Sequence, residues 1–230
     1  MTGLVIESRF NGPAGSANGG IAAGRLAALM LGGDPAGAVQ VSLRRPPPLD
    51  TELRVETSGT GLRAVHEGQL VAEAMLVSIE IAPVPPVDFE TAADAATRFE
   101  GFAEHPFATC VGCGTDRADG LACYAGPIDP AVPTLVATPF VPRADLPRDP
   151  SLVWAALDCA GGWAIGLAGR RAVLGRMTAQ VLAVPAVGDQ CVIVAQGDGW
   201  DGRKAFSRSA CYGADGRLLG LAQATWIELR

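Results

Sequence analysis

The chain has 230 residues, enough for one large domain or two of about 100 residues each. A net charge of −6 argues against general nucleic-acid binding, which calls for a basic face, and no apolar run reaches the ~18 residues of a membrane-spanning helix. The N-terminus MTGLVIESRF has neither a basic n-region nor a long apolar h-region, so a cytoplasmic chain with no signal peptide and no membrane partner is the expectation.

In chain order, residues 4–10 read as a short strand leading into the Gly-rich loop FNGPAGSANGG. A helix is predicted over 20–31, rich in Ala and Leu, with Gly32-Gly33 as its stop signal. Strands follow at 38–43, 51–57 and 70–81, with a shorter one at 62–65. Residues 82–106 begin Pro-rich and become Ala- and acid-rich, which reads as a linker holding one or two helical turns. Strand material is predicted at 120–125 and 134–141. Asp149-Pro150 then opens a second helix, since Asp caps and Pro suits the first turn. Long strands close the chain at 173–184, 190–196, 204–212 and 218–229, with Asp-Gly in ADGR (214–217) as a hairpin turn.

These elements repeat. GQLVAEAMLVSIEI (68–81) parallels GRLLGLAQATWIEL (216–229), matching Gly68/Gly216, Leu70/Leu218, Ala74/Ala222, Ile79/Ile227 and Glu80/Glu228. Upstream, RRPPPLDTELRVE (44–56) parallels AVPAVGDQCVIVA (183–195) through Pro46/Pro185 and Asp50/Asp189. Two matches in the same order point to duplication. Each half is one apolar helix and a run of strands, and a helix that hydrophobic must be covered by its sheet.

Six cysteines include a single C-x-x-C, Cys110 and Cys113, with no second pair and no close histidine pair to complete a zinc site. Reduced thiols fit the cytosol, and no metal is expected. The basic pairs Arg44-Arg45 and Arg170-Arg171 read as solvated element ends.

One helix carries an anomaly. SLVWAALDCAGGWAIG (151–166) holds a lone charge, Asp158, among apolar and small residues. Burying an unpaired carboxylate costs several kcal/mol by order of magnitude, so Asp158 is either a core acid satisfied by a polar partner or a working group. The Gly161-Gly162 pair costs about 1 kcal/mol per residue against Ala, which close approach of a helix or a ligand would offset.

Several segments carry a family resemblance. CVGCGTDRADGL (110–121), SANGGIAAGRLAALM (16–30) and VWAALDCAGGWA (153–164) resemble, in that order, segments of hotdog-fold acyl-CoA thioesterases. VGDQCVIVA and ADGRLLGLAQATWIEL are similar to the family's later strands. The resemblance covers nearly the whole chain and implies an α+β double hotdog: an N-terminal hotdog at 1–82, a linker at 83–106 and a C-terminal hotdog at 107–230. It also implies an acyl-CoA or acyl-carrier thioester as ligand, with no cofactor beyond the CoA of the substrate. It leaves room for pairing of double hotdogs into a homo-oligomer.

The family's His-Gly-Gly turn has Asn18 in place of His, and its acid position counted from Asn18 falls on Ala27. The first half thus has the glycine turn without the acid, while the second has Asp158 without the turn. The resemblance therefore implies one composite site: Asp158 as the carboxylate, with Gly19 and Gly20 N–H groups for the oxyanion. Asn18, Asn11, Trp154 and Gly162 are the substrate-contact candidates, although Asn beside Gly is also a turn preference and Trp is most often core. Two alternatives stand beside hydrolysis: a non-catalytic acyl-ligand binder, and a dehydratase or hydratase using His105 with Asp158.

Overall fold

The computed structural model describes residues 2–32 and 37–229. Gly33, the second residue of the predicted stop signal, lies outside them. The first half runs β1 (Thr2–Leu4), α1 (Gly19–Leu31), β2 (Ala38–Leu43), β3 (Leu53–Ser58), β4 (Gly61–His66) and β5 (Gln69–Val77). After α2 (Phe89–Ala96) come β6 (Gly126–Pro127), β7 (Leu135–Phe140) and α3 (Pro150–Ala164). The chain closes with β8 (Ala172–Val181), β9 (Cys191–Asp201), β10 (Lys204–Tyr212) and β11 (Leu218–Glu228).

Both long helices start where local chemistry dictates. The Asn18 carboxamide oxygen accepts from Ile21 N at 2.9 Å, capping α1. Gly32 closes α1 at φ 58°, a left-handed conformation that suits glycine. Asp149 accepts from Ser151 N at 2.8 Å, and Pro150 occupies the first turn of α3. Every residue of α3 from Ser151 to Ala164 is buried, because the sheet covers one side and α1 lies against another.

The strands form one antiparallel sheet in the order β1-β3-β4-β5-β2-β8-β11-β10-β9-β7-β6. Read outward from the central β2–β8 pair, the first half gives β2, β5, β4, β3 and the second gives β8, β11, β10, β9. The two halves therefore share one strand topology, as the repeat anticipates. The matched segments fall on β5 and β11 and lead into β3 and β9.

A second, smaller core lies on the other face of the sheet. Ala92 and Ala95 of α2 pack with Val84, Ala137, Val192 and Val194. This is why Cys191–Ala195 is buried without alternation. Tyr212 donates its hydroxyl to Val84 O at 2.7 Å within this cluster. Tyr212→Phe should cost about 1 kcal/mol in urea unfolding, since it leaves a buried carbonyl without its donor.

Two predicted strands take another form. Residues 4–10 give only β1 and then a 3-10 turn at Ser8–Phe10, with Phe10 N bonded to Glu7 O. Residues 120–125 form no strand. Their backbone is spent on the C-x-x-C loop, with Leu121 N donating to Val111 O and Cys123 N to Gly112 O. The segment read as a linker is a packed layer of the fold, because α2 has its own apolar face to bury. The Asp-Gly turn forms as expected, with Gly216 at φ 75° and Arg217 N bonded to Asp215 Oδ1.

Candidate active site

Helices α1 and α3 meet almost backbone to backbone. A Cβ on Gly20 would lie 2.6 Å from Ala155 Cα and from Trp154 O, and one on Gly24 would lie 2.7 Å from Ser151 Cα. Only glycines at this i, i+4 spacing allow so close an approach. The approach brings the N-terminus of α1 to the middle of α3, where Gly20 N donates to Asp158 Oδ2 at 2.8 Å.

Asp158 is 4% exposed, and its other oxygen, Oδ1, has no hydrogen-bond partner among the described residues. Burial pushes the carboxyl up to about 7, opposed by the Gly20 N–H and reinforced by neighbouring Cys110. The positive end of α1 offsets part of that cost. A carboxyl with this value is populated in both forms near neutral pH, as a general acid–base needs.

Asp158 is among the residues that line a pocket of about 500 Å³. The Gly-rich loop and first turn of α1 (residues 12–19) border it, Leu43, Leu174 and Leu167 give it apolar walls, and Trp226 adds an aromatic one. Arg44 and Arg45 line it at the exposed side, with Arg44 Nε 2.9 Å from Glu73 Oε1 and Arg45 Nη2 2.8 Å from Gln69 Oε1. The pocket thus runs from two surface guanidinium groups to a buried carboxylate.

Asp158, Gly19 and Asn18 are brought together at this pocket. Gly20 is adjacent, but Asp158 takes its N–H, the donor expected to face an oxyanion. Nothing among the described residues accepts from the Gly19 N–H, which leaves it as the first-turn donor open to a carbonyl. Asn11 is not part of the lining. Its carboxamide donates to Thr109 O at 3.0 Å and accepts from Arg117 Nη1 at 2.9 Å, joining two loops. Trp154 packs against Gly24, away from the pocket. Gly162 lies beneath Trp226 and Leu167 and supports the wall from behind. The Gly161-Gly162 pair faces Ser207 and Trp226 of the sheet, so strands rather than a helix or ligand offset its cost.

His105 makes no dyad with Asp158. Its Nδ1 accepts from Phe107 N at 3.0 Å, which makes Nε2 the donor to Cys113 O at 3.0 Å. Both nitrogens hold the 105–113 loop, and burial keeps the imidazole below its usual range. The dehydratase alternative therefore lacks its histidine.

Sequence reasoning missed Cys159. Its thiol joins Cys110 and Cys113 in a buried cluster whose sulfurs all lie within 4.8 Å of one another. The Cys110–Cys159 sulfur separation is 3.9 Å, with no disulfide. Cys159 is 46 positions beyond Cys113, so no spacing rule links them. Its one signal is its place next to Asp158.

No family model matches the chain, and no curated protein matches it. Solved structures do. A protein of unknown function with a hot dog fold from Alicyclobacillus acidocaldarius superposes with a TM-score of 0.63 at 14% identity, over 97% of this chain and 91% of that one. A thioesterase II of Thermobifida fusca YX, so described provisionally, gives 0.63 at 14% identity, over 99% and 92%. The tesB protein of Mycobacterium avium subs paratuberculosis gives 0.61 at 15% identity, over 95% and 89%. The chain has the hotdog fold.

Proposed function

We propose that this chain is a double hotdog that hydrolyses an acyl thioester, acyl-CoA or acyl-carrier, at one composite site. The buried Asp158 carboxyl, which lines the pocket and whose Oδ1 has no hydrogen-bond partner among the described residues, is the observation that carries this reading. The shared topology of the two halves and the resemblance to proteins described as thioesterases support it. The carboxylate comes from the second half, and the α1 N-terminus from the first.

The thioester carbonyl accepts from Gly19 N–H, and its acyl chain lies along Leu43 and Leu174. Asp158 Oδ1 takes a proton from a water that attacks the carbonyl carbon. When the tetrahedral adduct collapses, the C–S bond breaks and Asp158 returns the proton to the thiolate. The products are a carboxylic acid and a free thiol. Both parts sit on helices whose contact is fixed by Gly20 and Gly24, which holds the arrangement in place. Six unpaired cysteines fit a reducing cytoplasm, and no helix among the described residues is long and apolar enough to cross a membrane.

Release of free thiol from short, medium, long and aromatic acyl-CoAs tests the reading. Turnover of at least one class is expected. Saturable binding with no turnover on any of them would identify a binder instead.

A further inference from the structure

The three-thiol cluster has no part in the proposed hydrolysis, and its geometry is that of a ligand set. Cys110 and Cys113 come from a loop and Cys159 from α3, and all three line the pocket. Tetrahedral Zn²⁺, with Zn–S bonds near 2.3 Å, spaces its sulfurs about 3.8 Å apart. Cys110 and Cys159 already stand at 3.9 Å, and no pair in the cluster exceeds 4.8 Å.

The surroundings are built for negative sulfur. Asn18 cannot turn its carboxamide, because Oδ1 is fixed by the Ile21 N–H, so its NH₂ points at Cys110 Sγ (3.6 Å) and Cys159 Sγ (3.7 Å). Gly112 N donates to Cys110 Sγ at 3.4 Å. The Trp163 indole N–H, buried with no hydrogen-bond partner among the described residues, stands against Cys113. Donors of this kind around a thiolate set tune a bound metal.

We propose that Cys110, Cys113 and Cys159 bind one Zn²⁺, with the fourth coordination position turned to the pocket and filled by water. Three thiolates leave the centre with a charge of −1, which Asn18, Gly112, Trp163 and the positive end of α1 face. The claim is independent of thioester hydrolysis.

The test uses the whole reduced protein, purified without chelator. Elemental analysis should find one equivalent of zinc. Replacing it with Co²⁺ should give thiolate-to-cobalt charge transfer and the visible bands of a tetrahedral site. Cys159→Ser should weaken Zn²⁺ affinity in chelator competition by more than about 100-fold, and Asn18→Ala by about 10- to 100-fold. Cys191→Ser, outside the cluster, should bind as the wild type does. Wild-type protein that holds no zinc above background, even after Zn²⁺ is supplied, and that gives no thiolate–cobalt band, would overturn the proposal. This readout needs no variant to fold. A folded Cys159→Ser that binds as tightly as the wild type would overturn it equally.

Discussion

Asp158→Asn should lose thioester hydrolysis by about 10²- to 10⁴-fold, the range for removing a positioned acid–base, while folding as well as the wild type or better. The amide oxygen can still accept from Gly20 N–H, so the contact between α1 and α3 survives. What disappears is the proton acceptor at Oδ1. The same change should raise stability in a pH-dependent way. The folded carboxyl keeps its proton up to about 7, against 3.8 for an ordinary aspartate. Between those values the folded state binds more protons than the unfolded one, so wild-type stability falls as pH rises through the window. The asparagine variant has no such loss. Its advantage in thermal unfolding should be absent near pH 4, open through about 7 and level off above it. The plateau should be a few kcal/mol, reduced by the unpartnered NH₂ of the amide. Chelator-treated, reduced protein is the sample for this comparison, so that metal at the neighbouring thiols does not enter the balance. An active site that costs stability in this way is a common compromise.

Gly20→Ala should be strongly destabilising. Helix propensity alone argues the opposite, since Ala exceeds Gly by about 1 kcal/mol inside a helix. Packing decides the sign. The new methyl would stand 2.6 Å from Ala155 Cα and Trp154 O and 2.8 Å from Ala155 N, all backbone atoms that cannot rotate away. Relief requires α1 to slide from α3, which also breaks the Gly20–Asp158 bond. Overpacking of this kind costs about 1–3 kcal/mol or more, and here the buried carboxylate loses its Gly20 donor as well. A lowered urea midpoint together with loss of turnover is the expected result; a midpoint above that of the wild type would show that the two helices are not in backbone contact.

The sequence exposes what is set locally and hides what is set by distance. Asp149 is legible as a cap because it acts within two residues of itself, whereas Asn18, read as a substrate contact or a turn residue, proves to cap α1. Asp-Gly at 215–216 is legible as a turn for the same reason. The repeat exposes the common strand order, since matched segments fall on matched strands. The candidate pairing of Asp158 with the Asn18–Gly20 turn is reachable only through that repeat and the family resemblance, as 138 positions separate Gly20 from Asp158. The Gly20–Gly24 face is what sets the contact, and a Gly-rich helix start does not announce which backbone it will meet. Cys159 is hidden beside Asp158, where the eye goes to the charge. Residues 120–125 look like a strand by composition but spend their hydrogen bonds on the C-x-x-C loop. The helix in the 82–106 segment is visible, but not that its alanines cover the sheet.

The proposed site is assembled from the α1 N-terminus of the first half and Asp158 of the second. A crystal structure of the protein with a non-hydrolysable acyl-CoA thioether ketone tests it most directly. The ketone oxygen should lie within hydrogen-bond distance of Gly19 N, with Asp158 Oδ1 facing the carbonyl carbon across room for one water. A carbonyl bound anywhere else, with Asp158 walled off from it, would rule out a composite site.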